Sequence, residues 1–79
     1  MGRIILMEFD VEVFAERVRL LRNKMGINTI QLAKGSGIPN ATISRWENGI
    51  MIPKADSIYT LSKFFGVTAG YLIGTEDNP

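Results

Sequence analysis

A chain of 79 residues with 46% hydrophobic side chains, 22% charged side chains and a net charge of +1 is long enough for one small domain and too short for two cores. It has no cysteine and no histidine, which excludes disulfides, imidazole catalysis and most zinc sites, so we expect no enzyme and neither a cofactor nor a metal. The apolar run near its start, residues 4–7, is far shorter than the roughly 18–20 residues of a membrane span, and we expect a soluble, cytoplasmic protein.

The first predicted helix covers about residues 11–25 and ends at Gly26. Its apolar residues have the i, i+4, i+7, i+11 spacing of an amphipathic helix. They are Phe14, Val18, Leu21 and Met25. Residues 1–10 are expected to form an N-terminal extension, which includes the ambiguous strand candidate R-I-I-L-M-E-F.

A short second helix is predicted over T-I-Q-L-A-K, with either Asn28 or Thr29 as its N-cap. Leu32 and Ala33 are expected to face the interior. The helix is expected to break at Gly35-Ser36-Gly37, which the sequence predicts to be a tight turn.

A third helix is predicted over A-T-I-S-R-W-E-N, directly after this turn. Ile43 and Trp46, at i and i+3, are expected to face the core, and Gly49 is placed to be the left-handed residue that ends the helix. Pro39 suits a first turn but has no side-chain oxygen for a cap. Asn40 therefore either caps the helix or already lies inside it.

The remaining chain predicts two more helices. The fourth ends at Gly66, and the fifth begins after a capping Thr68 and closes at Gly74. The inward side of the fourth helix consists of Ile58, Leu61, Ser62 and Phe65. The sequence therefore predicts an all-α domain of about five helices over residues 11–74, followed by a polar tail or linker start at residues 75–79.

Charge is distributed unevenly along the chain. Residues 1–16 have one base and four acids, residues 55–79 have one base and three acids, and residues 17–54 have seven bases and one acid, Glu47. The seven bases are Arg17, Arg19, Arg22, Lys24, Lys34, Arg45 and Lys54. A polyanionic partner would explain this basic middle, but so would a solvated helix face, so charge alone does not decide the function.

The second and third helices are arranged like a helix-turn-helix, in which the second member bears small polar side chains and an arginine. The run I-N-T-I-Q-L-A-K-G-S-G-I-P-N-A-T-I-S-R-W-E-N-G and the later run L-S-K-F-F-G-V-T-A-G-Y-L-I-G resemble the phage-repressor-like (Cro/cI, xenobiotic-response-element type) family. The resemblance covers about Phe14 to Gly74. It implies a compact five-helix lambda-repressor-like domain whose third helix enters the major groove, usually as a dimer on a palindromic operator.

The resemblance also implies roles for single residues. Four match the family's base-facing positions: Asn40, Ala41, Ser44 and Arg45. Four match its phosphate-holding positions: Asn28, Thr29, Thr42 and Asn48. Two match an internal salt bridge between helices 1 and 3: Arg22 and Glu47. The chemistry agrees, because asparagine pairs with adenine, arginine pairs with guanine and alanine meets a thymine methyl.

Three of these residues have simpler interpretations. Arg45 could be a solvated surface arginine, Asn40 an N-cap, and Asn48 with Gly49 a helix stop. Trp46 is expected in the core, although stacking on a base is conceivable.

The chain departs from the family at several positions. Thr29 replaces the usual glutamine, Ile30 replaces a polar residue, and Ile50-Met51-Ile52 replaces basic or polar residues after the third helix. For this loop we expect either that Ile50 or Ile52 folds over the core while Met51 stays exposed, or that the loop binds a protein.

The function expected from the sequence is sequence-specific binding of double-stranded DNA by a transcriptional regulator, most simply a repressor. We expect a homodimer that associates through helix 5 and its neighbours, with Phe64 and Tyr71 as contacts and Met51 as the rival surface. The alternative is a protein-interaction module, such as an antitoxin or anti-repressor-like partner, that uses the loop of residues 50–52.

Overall fold

The computed structural model describes residues 9–79, which form five α-helices and no strand. The helices are α1 (Val11–Lys24), α2 (Thr29–Ser36), α3 (Asn40–Glu47), α4 (Ala55–Phe65) and α5 (Ala69–Ile73). The prediction of an all-α domain is thereby confirmed for this part of the chain. The expected extension 1–10 lies outside the described residues except for Phe9 and Asp10, and none of the five helices could cross a membrane.

The five helices enclose one hydrophobic core. Helix α1 packs against α3 and α5, α2 packs against α3 and α4, and α4 also packs against α5. Phe14 of α1 meets Trp46 of α3 edge to face, with ring centroids 5.6 Å apart. Most of the predicted stripe of α1 is buried, but Met25 is 50% exposed, which corrects the prediction. Met25 is the C-cap of α1, at the last position of the stripe.

Helix α2 is longer than predicted. It continues through Gly35 and Ser36, and only Gly37 is left-handed, with φ of 78°. Gly35 serves packing rather than a turn, because a Cβ atom there would lie 2.6 Å from Cε1 of Phe64. The missing side chain thus lets α4 approach the end of α2 closely.

The expectation that Tyr71 is a surface residue is wrong. Tyr71 is only 7% exposed, because its ring packs into the hydrophobic core. The Arg17 guanidinium carbon lies over this ring, 4.3 Å from the ring centroid. Tyr71 is therefore not available to a second copy, and Phe64 is half-buried against the core.

The loop after α3 has the opposite arrangement to the one expected. Met51 packs against the core, whereas Ile50 and Ile52 are 72% and 66% exposed. Alternation along this extended segment turns the central side chain inward and its two neighbours outward. The loop therefore presents two isoleucines to solvent.

The C-terminal residues 75–79 fold back onto the domain. The Thr68 hydroxyl donates to the Glu76 carboxylate at 2.7 Å, and Arg17 Nη1 donates to the Glu76 carbonyl at 2.8 Å. The Thr68 N–H also donates to the Pro79 carbonyl at 3.4 Å. The predicted polar tail is thus held against the start of α5.

Candidate nucleic-acid interface

Helices α2 and α3 form a helix-turn-helix joined by Gly37-Ile38-Pro39. The left-handed Gly37 reverses the chain after α2, and the buried Ile38 anchors the turn in the core. Pro39 is the residue before α3, with φ of −59° and a non-helical ψ of 140°. This connection fixes the direction in which α3 leaves the turn.

The outer face of α3 consists of three polar side chains that can hydrogen-bond to base edges and the methyl group of Ala41. Asn40, Ala41 and Arg45 are exposed and Ser44 is half-buried, so all four lie on one side of the helix. The opposite side, with Ile43 and Trp46, is buried. The four outer residues, at i, i+1, i+4 and i+5, form one continuous stripe that is polar except for Ala41.

Asn40 is the first residue of α3 and does not cap it. Pro39 holds the cap position, and α3 has no side-chain cap. The Asn40 amide therefore projects from the start of α3 without binding the helix's own N–H groups. Of the two alternatives for Asn40, the structure supports the position inside the helix.

Of the four proposed phosphate contacts, Asn28 and Thr29 lie at the start of α2. Asn28 is its N-cap: the Asn28 side-chain oxygen accepts the Gln31 N–H at 2.8 Å, and the Gln31 side chain accepts the Asn28 N–H at 2.8 Å. This capping box occupies the Asn28 oxygen and leaves its NH₂ group as a donor. Thr29, half-buried, is the first residue of the helix.

Thr42 lines a cavity of about 510 Å³ beside α3. The cavity brings Thr42 together with polar residues at the start of the next helix, which are Lys54, Asp56, Ser57 and Thr60. Lys54 is the cap residue of α4, and sequence reasoning assigned it no role. The only signal for it was a lysine directly after a proline at a helix start.

Asn48 is turned toward its own helix. Its side-chain amide donates to the Ser44 carbonyl at 2.9 Å, and Gly49 follows with φ of 71°. This geometry supports the interpretation of Asn48 and Gly49 as a helix stop. A phosphate contact by Asn48 would have to use the second amide hydrogen.

The pair predicted from the sequence between helices 1 and 3 is present. Arg22 Nε donates to Glu47 Oε2 at 2.6 Å and Arg22 Nη2 donates to Oε1 at 2.8 Å, while Nη1 donates to the Ile27 carbonyl at 2.9 Å. The side chains are 16% and 8% exposed, respectively. The hydrogen bond that Arg22 donates to Glu47 raises the pKa of Arg22 above its ordinary value, against the effect of burial.

The basic middle of the sequence is only partly available to a polyanion. Arg17, Arg19 and Arg22 all donate hydrogen bonds to backbone carbonyls of the domain itself. The exposed bases of this segment are Lys24, Lys34, Arg45 and Lys54. The cationic surface is therefore smaller than the charge pattern predicts, because the arginines of α1 hydrogen-bond to other parts of the domain.

Comparison with known proteins identifies relatives of this chain. A family model described as helix-turn-helix matches residues 18–72. The chain is 31% identical over 64 residues to the repressor protein C2 of Salmonella phage P22 and 34% identical over 64 residues to the HTH-type transcriptional activator BcrR of Enterococcus faecalis. Each match covers 81% of this chain, but the chain spans only 30% of C2 and 31% of BcrR.

A solved structure has the same arrangement of helices. It is the P22 c2 repressor in complex with synthetic operator 9T, with a TM-score of 0.75 and 31% sequence identity. The match covers 81% of this chain and 97% of that chain.

Proposed function

The chain belongs to the phage-repressor-like helix-turn-helix family, and from this we propose that it binds double-stranded DNA sequence-specifically as part of a transcriptional regulator, not as an enzyme. The observation that supports this most directly is the polar outer face of α3, whose buried side is fixed in the core. We further propose repression as its action, as the name of the P22 relative states for that protein.

In this proposal α3 lies in the major groove with its outer face toward the base edges. Arg45 pairs with a guanine, Asn40 pairs with an adenine, and Ala41 contacts a thymine methyl. Ser44 accepts or donates one hydrogen bond. Each of these side chains is on the exposed stripe, so the helix can approach the bases without moving its core residues.

The DNA backbone is held beside this helix. Asn28 and Thr29 present a donor amide, a hydroxyl and the first N–H groups of α2 to one phosphate. Thr42 and Lys54, which face the same cavity, serve a second phosphate. These contacts set the position of the domain on the duplex and carry no sequence information themselves.

Selection of bound sites from a random duplex library tests the proposed function. We expect enrichment of one sequence whose affinity falls steeply with added salt, because phosphate contacts release counterions. Absence of any enriched sequence, together with salt-insensitive binding of a protein partner, would favour the protein-interaction alternative.

Replacement of Arg45 by alanine is expected to weaken binding to the selected site by about 1–3 kcal/mol and binding to random DNA by much less. The reason is that a bidentate arginine–guanine contact exists only on the correct base. Titration by fluorescence anisotropy on both DNAs measures the difference. Lys34→Ala, which removes an exposed cation from α2, is the control, and equal losses on both DNAs for the Arg45 variant would contradict base readout.

We also propose that the domain binds a palindromic operator as a homodimer whose contact includes Ile50 and Ile52. Two recognition helices would then lie about 34 Å apart, one turn of B-DNA. Burial of Tyr71 removes the surface first expected for this contact, whereas both isoleucines are exposed at the end of α3.

Ile52→Asp is expected to convert the dimer into monomers, because an aspartate would be desolvated in an apolar contact. Sedimentation velocity with and without operator measures the change. Tyr59→Asp, at another exposed large hydrophobic residue, is the matched control and should leave association unchanged. A parent protein that is monomeric and binds a single half-site would contradict the dimer, and loss of association in both variants would place the contact elsewhere.

A further inference from the structure

The C-terminal end of α3 satisfies three of its last four backbone carbonyls locally. The Ser44 carbonyl accepts the N–H of Asn48, Arg45 accepts that of Ile50, and Trp46 accepts that of Gly49, each at 3.0 Å. The last two bonds form the Schellman pattern that a left-handed glycine makes possible. This local motif has no donor left for the carbonyl of Glu47.

The fourth carbonyl, that of Glu47, is satisfied from another helix. Arg19 of α1 is half-buried, and its Nη1 donates to the Glu47 carbonyl. Within residues 9–79, this is the only hydrogen bond that another helix makes to the backbone of α3. A guanidinium at a helix C-terminus also interacts favourably with the negative end of the helix dipole.

Arg19 and Arg22 thus fasten the same residue of α3 by different groups. Arg22 holds the Glu47 side chain, and Arg19 holds its backbone. The opposite end of α3, where Asn40 begins the helix, has no side-chain cap. The turn before α3 and the buried Ile43 and Trp46 place the helix, and the two arginines add a fixed point at its C-terminal end.

A small tilt of α3 about its C-terminal end would displace the base-facing residues at its N-terminal end. Asn40 lies seven residues from Glu47, or about 10 Å along the helix axis, so a tilt of about 5° displaces it by about 1 Å. Hydrogen bonds to base edges require placement to within about 0.5 Å. The side-chain pair alone leaves such a tilt possible, because the Glu47 side chain has several rotatable bonds.

We propose that Arg19 is a positioning residue for base readout, which fixes the angle of α3 by holding the Glu47 carbonyl and does not itself contact DNA. This inference rests on the proposed DNA-binding function. It assigns Arg19 a role that differs from that of an ordinary phosphate-binding arginine, and the two roles have different experimental signatures.

Arg19→Gln is compared with Arg17→Gln on the selected operator and on random duplex, over a range of salt concentrations. Both variants remove one charge and one guanidinium from α1, but Arg17 donates to carbonyls of Tyr71 and Glu76, away from α3. We expect the Arg19 variant to lose about five- to tenfold in the ratio of operator to random binding, the low end for one base contact. The Arg17 variant should keep the parent ratio.

The salt dependence separates positioning from phosphate contact. Loss of a phosphate contact lowers the slope of log affinity against log salt by about 0.9, whereas loss of a positioning residue leaves the slope unchanged. A lower slope with an unchanged ratio would overturn the proposal. An equal loss of ratio in the Arg17 variant would also overturn it, since the effect would then follow from charge or general stability.

Two further measurements keep the test decisive. The ¹³C shift of the Glu47 carbonyl should move in the Arg19 variant alone, as its hydrogen bond is lost. Arg19→Lys retains the charge and a donor, and it should recover part of the ratio of operator to random binding. If Arg19→Gln does not fold, the comparison of Arg19→Lys with Arg17→Lys replaces the comparison of the two glutamine variants. A parent protein without an enriched sequence would refute the proposed function, whereas enrichment with an unaffected Arg19 variant would refute only this inference.

Discussion

Replacement of Trp46 by alanine is expected to lower the free energy of unfolding by about 4 kcal/mol, the range found when a large buried aromatic is removed. Trp46 is among the largest fully buried side chains and contacts Phe14 edge to face. A domain of this size has a stability of only about 4–12 kcal/mol. The substitution should therefore remove between about a third and all of the stability of the domain, which urea titration followed by circular dichroism measures.

Trp46→Phe retains an aromatic ring but removes the indole N–H group, so it tests how much that group contributes to stability. The indole Nε1 has no hydrogen-bond partner among the described residues, so losing it breaks no bond, and we expect a loss of about 1 kcal/mol. Tyr59→Ala, at an exposed aromatic, should change stability by less than about 0.5 kcal/mol. A Trp46→Ala variant as stable as the parent would show that Trp46 is not a core residue and would reopen the base-stacking interpretation.

Replacement of Glu47 by glutamine is expected to cost about 3 kcal/mol of stability, because it leaves the Arg22 guanidinium desolvated without its counter-charge. Glutamine has nearly the same volume, so the change is electrostatic and not steric. The corresponding decrease in melting temperature is about 12–24 °C for a domain of this size. Differential scanning calorimetry measures it directly.

The effect should be specific to the buried pair. Glu16→Gln, at an exposed acid of α1, should melt within about 2 °C of the parent. The Glu47 deficit should persist in high salt, since buried charges are screened little. A Glu47→Gln variant that melts with the parent would show that the hydrogen-bonded pair contributes nothing to stability.

Local sequence signals predicted the positions of the helices well. Apolar spacing placed α1, α3 and α4, and the left-handed glycines at 37, 49, 66 and 74 ended their helices. The family resemblance carried by I-S-R-W-E-N-G also predicted the pair of Arg22 and Glu47, which the structure contains, and the family itself, which the comparisons confirm. These features depend on residues close in sequence or on a motif.

The errors arose where a residue's role depends on a distant partner. The sequence predicts Gly35 to be part of a turn, but in the structure it lies in α2 and leaves space for Phe64 of α4. The sequence predicts Tyr71 to be a surface aromatic, but Arg17 of α1 covers its ring. Neither partner can be read from the residues adjacent in the sequence.

The sequence by itself determined that this chain is a five-helix domain with a helix-turn-helix and a polar third helix, because backbone propensity, capping and amphipathic spacing are local. Only the tertiary structure decided which cations remain for a partner and which side of the loop 50–52 faces solvent. Whether Arg19 holds the carbonyl of Glu47 or points into water depends on how α1 packs across α3. That packing is set by the buried residues of all five helices together.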